Sequence, residues 1–194
     1  MLSLTRPLIL ASNSPRRKQL LNDAGFNFTV EVLPTDETFP DNTMPENVAG
    51  YISDQKAEMF RNKRIGKLVL TADTVVVLDH HILGKPENAS DAYRMLRLLS
   101  GKTHKVITAV SLLTDDTITT LSDMALVTFD ELEETEIKYY IEHYKPFDKA
   151  GSYGIQEWIG MIGIKKIEGS FYTIMGLPVQ KVYQLLKPFV NQQG

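Results

Sequence analysis

Residues 68–78, LVLTADTVVVL, form the most apolar predicted strand of the chain and are rich in valine and threonine. Both residue types favour strands, and a run that is apolar on both faces is typical of a strand covered on both sides. The sequence therefore predicts a central sheet strand from Leu68 to Leu78. Asp73 interrupts it, and because an unpaired buried charge is costly, this carboxylate must meet a cation, a metal or hydrogen-bond donors. A structural salt bridge is the alternative to a functional role.

The segment before this strand predicts a second strand, a helix and a return. Leu8 to Ala11 is a short apolar run without helical period, and Ser14-Pro15 is typical of a helix N-cap and first turn. Gly25 would end that helix. We expect a strand from Phe28 to Leu33 and a helix from near Thr43 to about Arg64.

The segment after it alternates turns with periodic stretches. It predicts helices near 89–99 and 133–143, strands near 105–113, 118–129, 161–167 and 171–175, and a last helix from Pro178. Because crossovers mix with hairpins, this order predicts an α/β protein with a long mixed sheet and flanking helices. We expect one domain over residues 1–194, in two lobes around a cleft.

Composition excludes several classes of protein. The 194 residues are 43% hydrophobic and 23% charged, with a net charge of -3, which argues against a surface that binds nucleic acid or anionic membrane. No apolar stretch reaches the roughly 18 residues of a membrane span, and the first residues lack the core of a secretory signal. The absence of cysteine excludes disulfides, thiolate zinc sites and cysteine nucleophiles, and we expect a cytoplasmic protein.

Two motifs resemble metal sites but have simpler explanations. Asp79-His80-His81 is similar to the signature of the DHH phosphoesterases, yet the four histidines of the chain are too few for that ligand set, and a polar hairpin turn is favoured. Glu133 and Glu136 have the spacing of helical nucleotide pyrophosphatases, but negative charge also suits a helix N-terminus.

Residues 12–17, SNSPRR, form a stronger candidate site than these two motifs, because they place two arginines in the first helical turn after a strand. Cations are unfavourable there unless an anion binds, and a guanidinium suits phosphate. The alternative is that Arg16 and Arg17 are simply exposed. Further candidates are Asp36-Glu37, as metal ligands or solvated acids, together with Lys56 and Lys85, the latter in a tight Gly84-Lys85-Pro86 turn.

Five segments in this order resemble the Maf family of nucleoside triphosphate pyrophosphatases from about residue 7 to 187. They are residues 12–17 (SNSPRR), 72–74 (ADT), 84–86 (GKP), 150–156 (AGSYGIQ) and 176–178 (GLP). The resemblance implies a fold like that of the inosine triphosphate pyrophosphatases, a long mixed sheet with helical lobes and a cleft. It also implies hydrolysis between the α and β phosphates of a nucleoside triphosphate with a divalent metal.

The resemblance also implies roles for individual residues. Asp73 matches the general base that activates water, and Glu37 with Asp73 would hold Mg²⁺, with Mn²⁺ as the alternative. Substrate phosphates would be bound by Ser12, Arg17, Lys56 and Lys85.

Three positions bear on the base of the nucleotide. Arg16, Thr74 and Gln156 resemble the dTTP/UTP branch of the family rather than the branch that prefers methylated guanine nucleotides. An amide such as Gln156 can pair with a pyrimidine edge. Thr71 and Glu157 depart from the family pattern, which has glycine there, and we expect Glu157 to add negative charge beside the base.

Two other functions remain open at this point. One is a nucleotide-binding regulator of cell division and septum formation with little catalysis, and the other is a purine pyrophosphatase of the inosine triphosphate type. The expected partner is a nucleoside triphosphate, with no nucleic acid and no membrane. A homodimer is left open.

Overall fold

A computed structural model describes residues 2–115 and 117–191, and within them seven strands form one sheet. The strands are β1 (Leu8–Leu10), β2 (Thr29–Val30), β3 (Leu68–Leu78), β4 (His81–Leu83), β5 (Thr103–Leu113), β6 (Ile118–Phe129) and β7 (Ile164–Glu168). Their order across the sheet is β2-β1-β3-β5-β6-β7, and β4 pairs with β3.

The sheet is mixed, as predicted. Strand β1 runs parallel to both β2 and β3, whereas β4 runs antiparallel to β3 and β7 antiparallel to β6. Strand β3 has the predicted bounds and is buried at every position except Thr74, which is half-buried. The prediction of a central strand in a mixed α/β protein is confirmed.

Seven α-helices accompany the strands in the described residues. They are α1 (Pro15–Asp23), α2 (Pro45–Glu58), α3 (Ala89–Leu99), α4 (Glu134–Tyr144), α5 (Trp158–Gly163), α6 (Phe171–Met175) and α7 (Val179–Leu186), with short 3-10 turns at Ala150–Ser152 and Lys187–Phe189. None of these helices has both the length and the apolar character that crossing a bilayer requires.

Two predicted elements are shorter in the structure. Helix α2 ends at Glu58 rather than near Arg64, and turns carry the chain to Gly66, where φ is +78°. Strand β2 contains only Thr29 and Val30. Apolar alternation predicted a longer strand, but only these two residues pair with β1.

The prediction of a strand near residues 171–175 is wrong, because these residues form helix α6. Gly169 precedes it with φ at +110°, and a Cβ there would lie 2.9 Å from the Ala125 Cα of β6. The chain therefore turns sharply at the end of β7 against its neighbour, and the aromatic and β-branched residues that follow do not extend the sheet. Strand propensity depends on a pleated surface to pack on, which this segment lacks. The strand predicted near 161–167 is right only from Ile164, since Trp158–Gly163 is helical.

The chain divides into two compact units, and the division falls inside β3, β5 and β6. Unit 1 comprises Met1–Asp73, Thr108–Asp123 and Gly176–Gly194. It contains α1, α2 and α7. Its buried residues include a cluster made of Ile9, Ala11, Ala57, Phe60, Val69 and Leu113.

Unit 2 comprises Thr74–Ile107 and Met124–Met175 and contains α3 to α6. Its core is a larger cluster that includes Val76, Leu96, Val127, Phe129, Ile137, Tyr140, Tyr153 and Ile159. Helices α3 and α4 supply much of this cluster, because their apolar residues recur at helical spacing and face one side.

Candidate functional site

Asp73 lies in unit 1, in the middle of β3, and only 9% of its surface is exposed. Its Oδ1 accepts a hydrogen bond of 2.8 Å from Nζ of Lys56, which also lies 2.7 Å from Oε1 of Glu37. One ammonium group thus contacts two carboxylates. Burial raises the pKa of Asp73, while Lys56 and then Arg17 act in the opposite direction. The carboxylate is therefore a stronger base than an exposed aspartate, held beside cations that favour its ionised form.

The positions of Asp73 and Lys56 follow from the periods of a strand and a helix. Thr71 and Asp73 are two residues apart on β3 and share a face, and Ser53 and Lys56 are three apart on α2 and share a face. Thr71 Oγ1 donates to the carbonyl oxygen of Ser53 at 2.7 Å, and the two side-chain hydroxyls lie 3.2 Å apart. A hydroxyl contact and an ion pair thus join the same two elements side by side.

Further hydroxyl groups extend this contact within unit 1. Ser111 Oγ donates to Ser53 Oγ at 2.9 Å and lies 2.8 Å from Thr120 Oγ1, which in turn donates to Asp54 at 3.2 Å. Thr71 stands where the family pattern has glycine, and its hydroxyl is used in this network. Nothing in the sequence links serines and threonines so far apart along the chain.

Arg17 is anchored close to Asp73. Its Nε donates to the Gly176 carbonyl at 2.8 Å, and its Nη1 donates to the Ala72 carbonyl at 2.8 Å and to Ser12 Oγ at 3.4 Å. Burial lowers the pKa of Arg17, whereas Asp73 raises it, Arg16 lowers it and Glu37 raises it. The guanidinium is therefore fixed by backbone carbonyls within the electrostatic reach of both acids.

The start of α1 orders the segment that supplies Ser12 and Arg17. Ser14 is the N-cap, since its Oγ accepts from the Arg17 N–H at 3.4 Å, and its own N–H donates to Ser12 Oγ at 3.2 Å. The Lys18 N–H donates to the Ser14 carbonyl, and Pro15 has no N–H. The amides of Ser14, Arg17 and Lys18 are thus already hydrogen-bonded within this segment.

The predicted site residues fall into both units. Ser12, Arg16, Arg17, Glu37, Lys56 and Asp73 lie in unit 1, and contacts or electrostatic coupling join all of them. Thr74, Lys85 and Gln156 lie in unit 2, where Thr74 is half-buried and the other two are exposed.

Within unit 2, a backbone contact ties two of the motif segments together. The Gly151 N–H donates to the Gly84 carbonyl at 3.0 Å, which joins the segment that carries Lys85 to residues 150–156. Gly151 has φ at +69°, and a Cβ there would come within 3.1 Å of both Val76 methyl groups. The close approach of this loop to β3 therefore requires glycine.

Glu157, which the sequence predicts to add negative charge beside the base, is joined to two other side chains of unit 2. Its Oε1 lies 3.1 Å from Nζ of the buried Lys149, and its Oε2 accepts a hydrogen bond from the Tyr140 hydroxyl. The Tyr140 oxygen in turn accepts from the Gly154 N–H at 3.0 Å. No local pattern points to Lys149 or Tyr140, since only the fold brings helix α4 against this loop.

The two motifs that resembled metal sites have structural roles. Asp79, with φ at +55°, forms the turn of the β3–β4 hairpin, and His80 and His81 are exposed. Glu133 and Glu136 form a capping box at the start of α4. In residues 2–115 and 117–191, no group of three or more histidine, aspartate or glutamate side chains is arranged to hold a metal ion.

Comparisons with known proteins agree on one family. Residues 7–189 match the family profile described as Maf-like protein. A protein of Phocaeicola vulgatus named dTTP/UTP pyrophosphatase is 53% identical over 182 residues, covering 93% of this chain and 94% of the relative. Relatives with the same name from Bacteroides thetaiotaomicron and Porphyromonas gingivalis are 50% and 48% identical, over 93% and 94% of this chain and 94% of each relative.

Among solved structures, the Staphylococcus aureus Ham1 protein matches with a TM-score of 0.41 and 14% identity, over 64% of this chain and 72% of that one. This likeness is too slight to support an argument about fold or function.

Proposed function

The chain belongs to the Maf family, and on that premise we propose that it is a nucleoside triphosphate pyrophosphatase that hydrolyses dTTP and UTP to the monophosphate and pyrophosphate. The observation that carries the proposal is the buried Asp73 carboxylate, in contact with Lys56 and beside the anchored Arg17. A buried carboxylate can accept a proton from an attacking water, and neighbouring fixed cations can stabilise the negative charge of a triphosphate.

We assign the chemical step to Asp73. Its carboxylate accepts a proton from water as the water oxygen bonds to the α-phosphorus. The bond from this phosphorus to the oxygen bridging to the β-phosphate breaks, and pyrophosphate leaves with that electron pair. No covalent intermediate forms on sulfur, because the chain has no cysteine.

Substrate binding is assigned to side chains that match the negative charge of a triphosphate. Lys56 and Arg17 offer an ammonium and a guanidinium within one contact network, and Ser12 adds a hydroxyl on Arg17. Lys85, in its tight turn, is proposed as a further phosphate ligand. Planar guanidinium and point-charge ammonium groups are the usual protein ligands of phosphate.

A divalent cation fits the donors present. Glu37 Oε1 and Asp73 Oδ1 both contact the Lys56 ammonium, which brings two carboxylate oxygens close together. Mg²⁺ usually takes one or two protein carboxylates together with substrate phosphates. We therefore propose Glu37 and Asp73 as ligands of Mg²⁺, with Mn²⁺ as the alternative; the ion would supply neutralisation of phosphate charge when bound.

Base selection is assigned to Arg16, Thr74 and Gln156. The exposed Gln156 carries both a donor and an acceptor on one amide, which is the combination that the edge of uracil or thymine also presents. We further propose that residues 1–194 act as a single domain, because β3, β5 and β6 each contribute to both units. A cytoplasmic location is proposed from the cysteine-free composition and the nucleotide substrate.

The test is a panel of nucleoside triphosphates with the purified protein. With Mg²⁺ we expect pyrophosphate and monophosphate from dTTP and UTP at the highest kcat/KM, and loss of turnover when a chelator removes the metal. Products are separated so that pyrophosphate is distinguished from orthophosphate, and an arm with Mn²⁺ measures metal preference.

Each other outcome of this panel rejects the proposal in a different way. Orthophosphate as the first product excludes α-β cleavage. Fastest turnover of inosine or xanthosine triphosphate indicates the purine type of pyrophosphatase. Tight nucleotide binding with no turnover in either metal favours a regulator that binds nucleotide without catalysis.

A further inference from the structure

The loop that carries Gln156 is held by a closed set of contacts in unit 2. The Glu157 N–H donates to the Gly154 carbonyl at 3.0 Å, the Gly154 N–H donates to the Tyr140 oxygen at 3.0 Å, and the Tyr140 hydroxyl donates to the Glu157 carboxylate. Two hydrogen bonds through Tyr140 therefore close a ring across the turn from Gly154 to Glu157. Gln156 lies inside this turn.

A buried cation holds the Glu157 carboxylate from the other side. Lys149, whose side chain is only 8% exposed, places Nζ 3.1 Å from Glu157 Oε1 and 2.7 Å from Asp148 Oδ1. Burial and the charge of Glu157 raise the pKa of Tyr140, so its phenol stays protonated and remains a donor. Glu157 thus accepts from a charged donor with one oxygen and from a neutral donor with the other.

Packing leaves this turn little freedom. A Cβ at Gly154 would lie 2.8 Å from Glu157 Cδ, and a Cβ at Gly160 would lie 2.0 Å from the Ile155 carbonyl oxygen. Ile155 is 5% exposed, whereas Gln156 is exposed. The segments on either side of Gln156 therefore have little room to move, while Gln156 itself is exposed.

We propose that Glu157 is a positioning residue for base selection: clamped by Tyr140 and Lys149, it fixes the backbone from which Gln156 presents its amide to a pyrimidine. The inference rests on the proposed function and deepens it. A mobile Gln156 would pay a larger entropic cost on binding and would discriminate less between thymine or uracil and cytosine.

The test compares dTTP with dCTP, whose bases differ on the edge that an amide can recognise. In Glu157→Ala we expect the ratio of kcat/KM for dTTP over dCTP to fall about tenfold, the effect of losing roughly one hydrogen bond, through a rise in KM for dTTP. Glu157→Gln should recover only part of this ratio, because its amide oxygen still accepts from Tyr140 whereas its NH2 group cannot accept from Lys149. Glu142→Ala, an exposed glutamate on α4, is the matched control and should keep the wild-type ratio.

A double variant separates positioning from general weakening of the fold. In a Gln156→Ala background, Glu157→Ala should cause no further fall in the ratio, because the group that it positions is gone. An unchanged ratio in the single variant, or an equal fall in both backgrounds, overturns the proposal. If Glu157→Ala does not fold, Tyr140→Phe removes one oxygen of the same clamp and should lower the ratio similarly.

Two measurements keep this inference distinct from the proposed function. Amide hydrogen exchange of residues 153–157 should be faster in Glu157→Ala than in Glu142→Ala, and equal exchange rejects the clamp. If the wild type hydrolyses no nucleotide, the proposed function fails, and dissociation constants for dTTP and dCTP then replace kcat/KM. Equal affinities of the wild type for the two nucleotides, or no binding, reject the positioning role.

Discussion

At the scale of single residues, the unusual feature is a carboxylate inside the most apolar strand. Asp73 is buried and forms an ion pair with Lys56. Burial is the main cause of its raised pKa, and the charges of Lys56 and Arg17 lower that pKa. A buried ion pair contributes little to stability on its own, because desolvation offsets much of the attraction. Its arrangement is better explained by chemistry than by stability.

We expect Asp73→Asn to lower kcat for dTTP by about 10²- to 10⁴-fold, since a general base typically contributes that factor. Lys56 keeps Glu37 as a partner in this variant, so the fold should remain and the circular dichroism spectrum should match the wild type. Asp23→Asn, an exposed aspartate at the end of α1, is the matched control and should retain full turnover. Wild-type kcat in Asp73→Asn would reject its role as the base.

At the scale of elements, the site depends on how α2 lies on β3. The Ser53–Thr71 hydroxyl contact lies next to the Lys56–Asp73 ion pair, and Ser111 on β5 joins the same network. These hydroxyl groups are buried and satisfied by one another, which is the condition for a polar network to stabilise a fold. We expect these contacts to position α2, and with it Lys56, on β3.

Thr71→Val tests this arrangement, because valine has nearly the same shape and lacks the hydroxyl. We expect a loss of about 1 kcal/mol in unfolding free energy, which lowers Tm by roughly 2–4 °C, together with a rise in KM for dTTP. Thr119→Val, at an exposed threonine of β6, is the control and should change neither quantity. A Tm and KM equal to the wild type in Thr71→Val would contradict the positioning of α2 by this network.

At the scale of the whole molecule, charge is unevenly distributed along the chain. Residues 31–54 and 115–136 hold acidic residues and no lysine or arginine. The fold supplies partners from elsewhere: Glu31 pairs with Arg64, Glu37 with Lys56, and Asp115 with Arg6 at 2.6 Å. The net charge of -3 thus coexists with a local set of cations around Asp73.

The stability of the molecule should fall on acidification because of His104. Its ring is buried, lies 2.7 Å from the Tyr153 oxygen through Nε2 and stacks on Phe129, and burial lowers its pKa from 6.5 to about 4. Between these values the unfolded chain binds a proton that the folded chain does not, so unfolding free energy decreases as the pH falls from about 6.5 to about 4. The full difference corresponds to about 3 kcal/mol.

Urea unfolding at several pH values between 7 and 4.5 measures this effect. His104→Gln should show a flatter dependence of unfolding free energy on pH than the wild type, whatever its stability at pH 7. His80→Gln, in the exposed turn after β3, should keep the wild-type slope. Equal slopes in His104→Gln and the wild type would show that this histidine does not carry the acid sensitivity.

Local sequence sufficed where an element is set by its own residues. The bounds of β3, α3 and β6 were predicted correctly, because continuous apolar runs and periodic apolar faces are intrinsic to the segments. It failed at residues 171–175, where strand-forming residues are helical after Gly169, whose φ of +110° turns the chain at the end of β7. The local sequence of a segment does not specify which surface the segment packs on.

Sequence motifs and patterns were enough to identify the family, the mixed α/β class and most of the residues that meet around Asp73. Short motifs are enough for the family and the site residues, because each motif combines a turn or strand end with a chemically distinctive side chain. Three contacts became evident only from the fold: Lys56 bridges Glu37 and Asp73, Thr71 bonds to Ser53, and Glu157 pairs with Lys149. These contacts join separate elements, and their partners depend on how helices pack on strands, which a local pattern of residues does not specify.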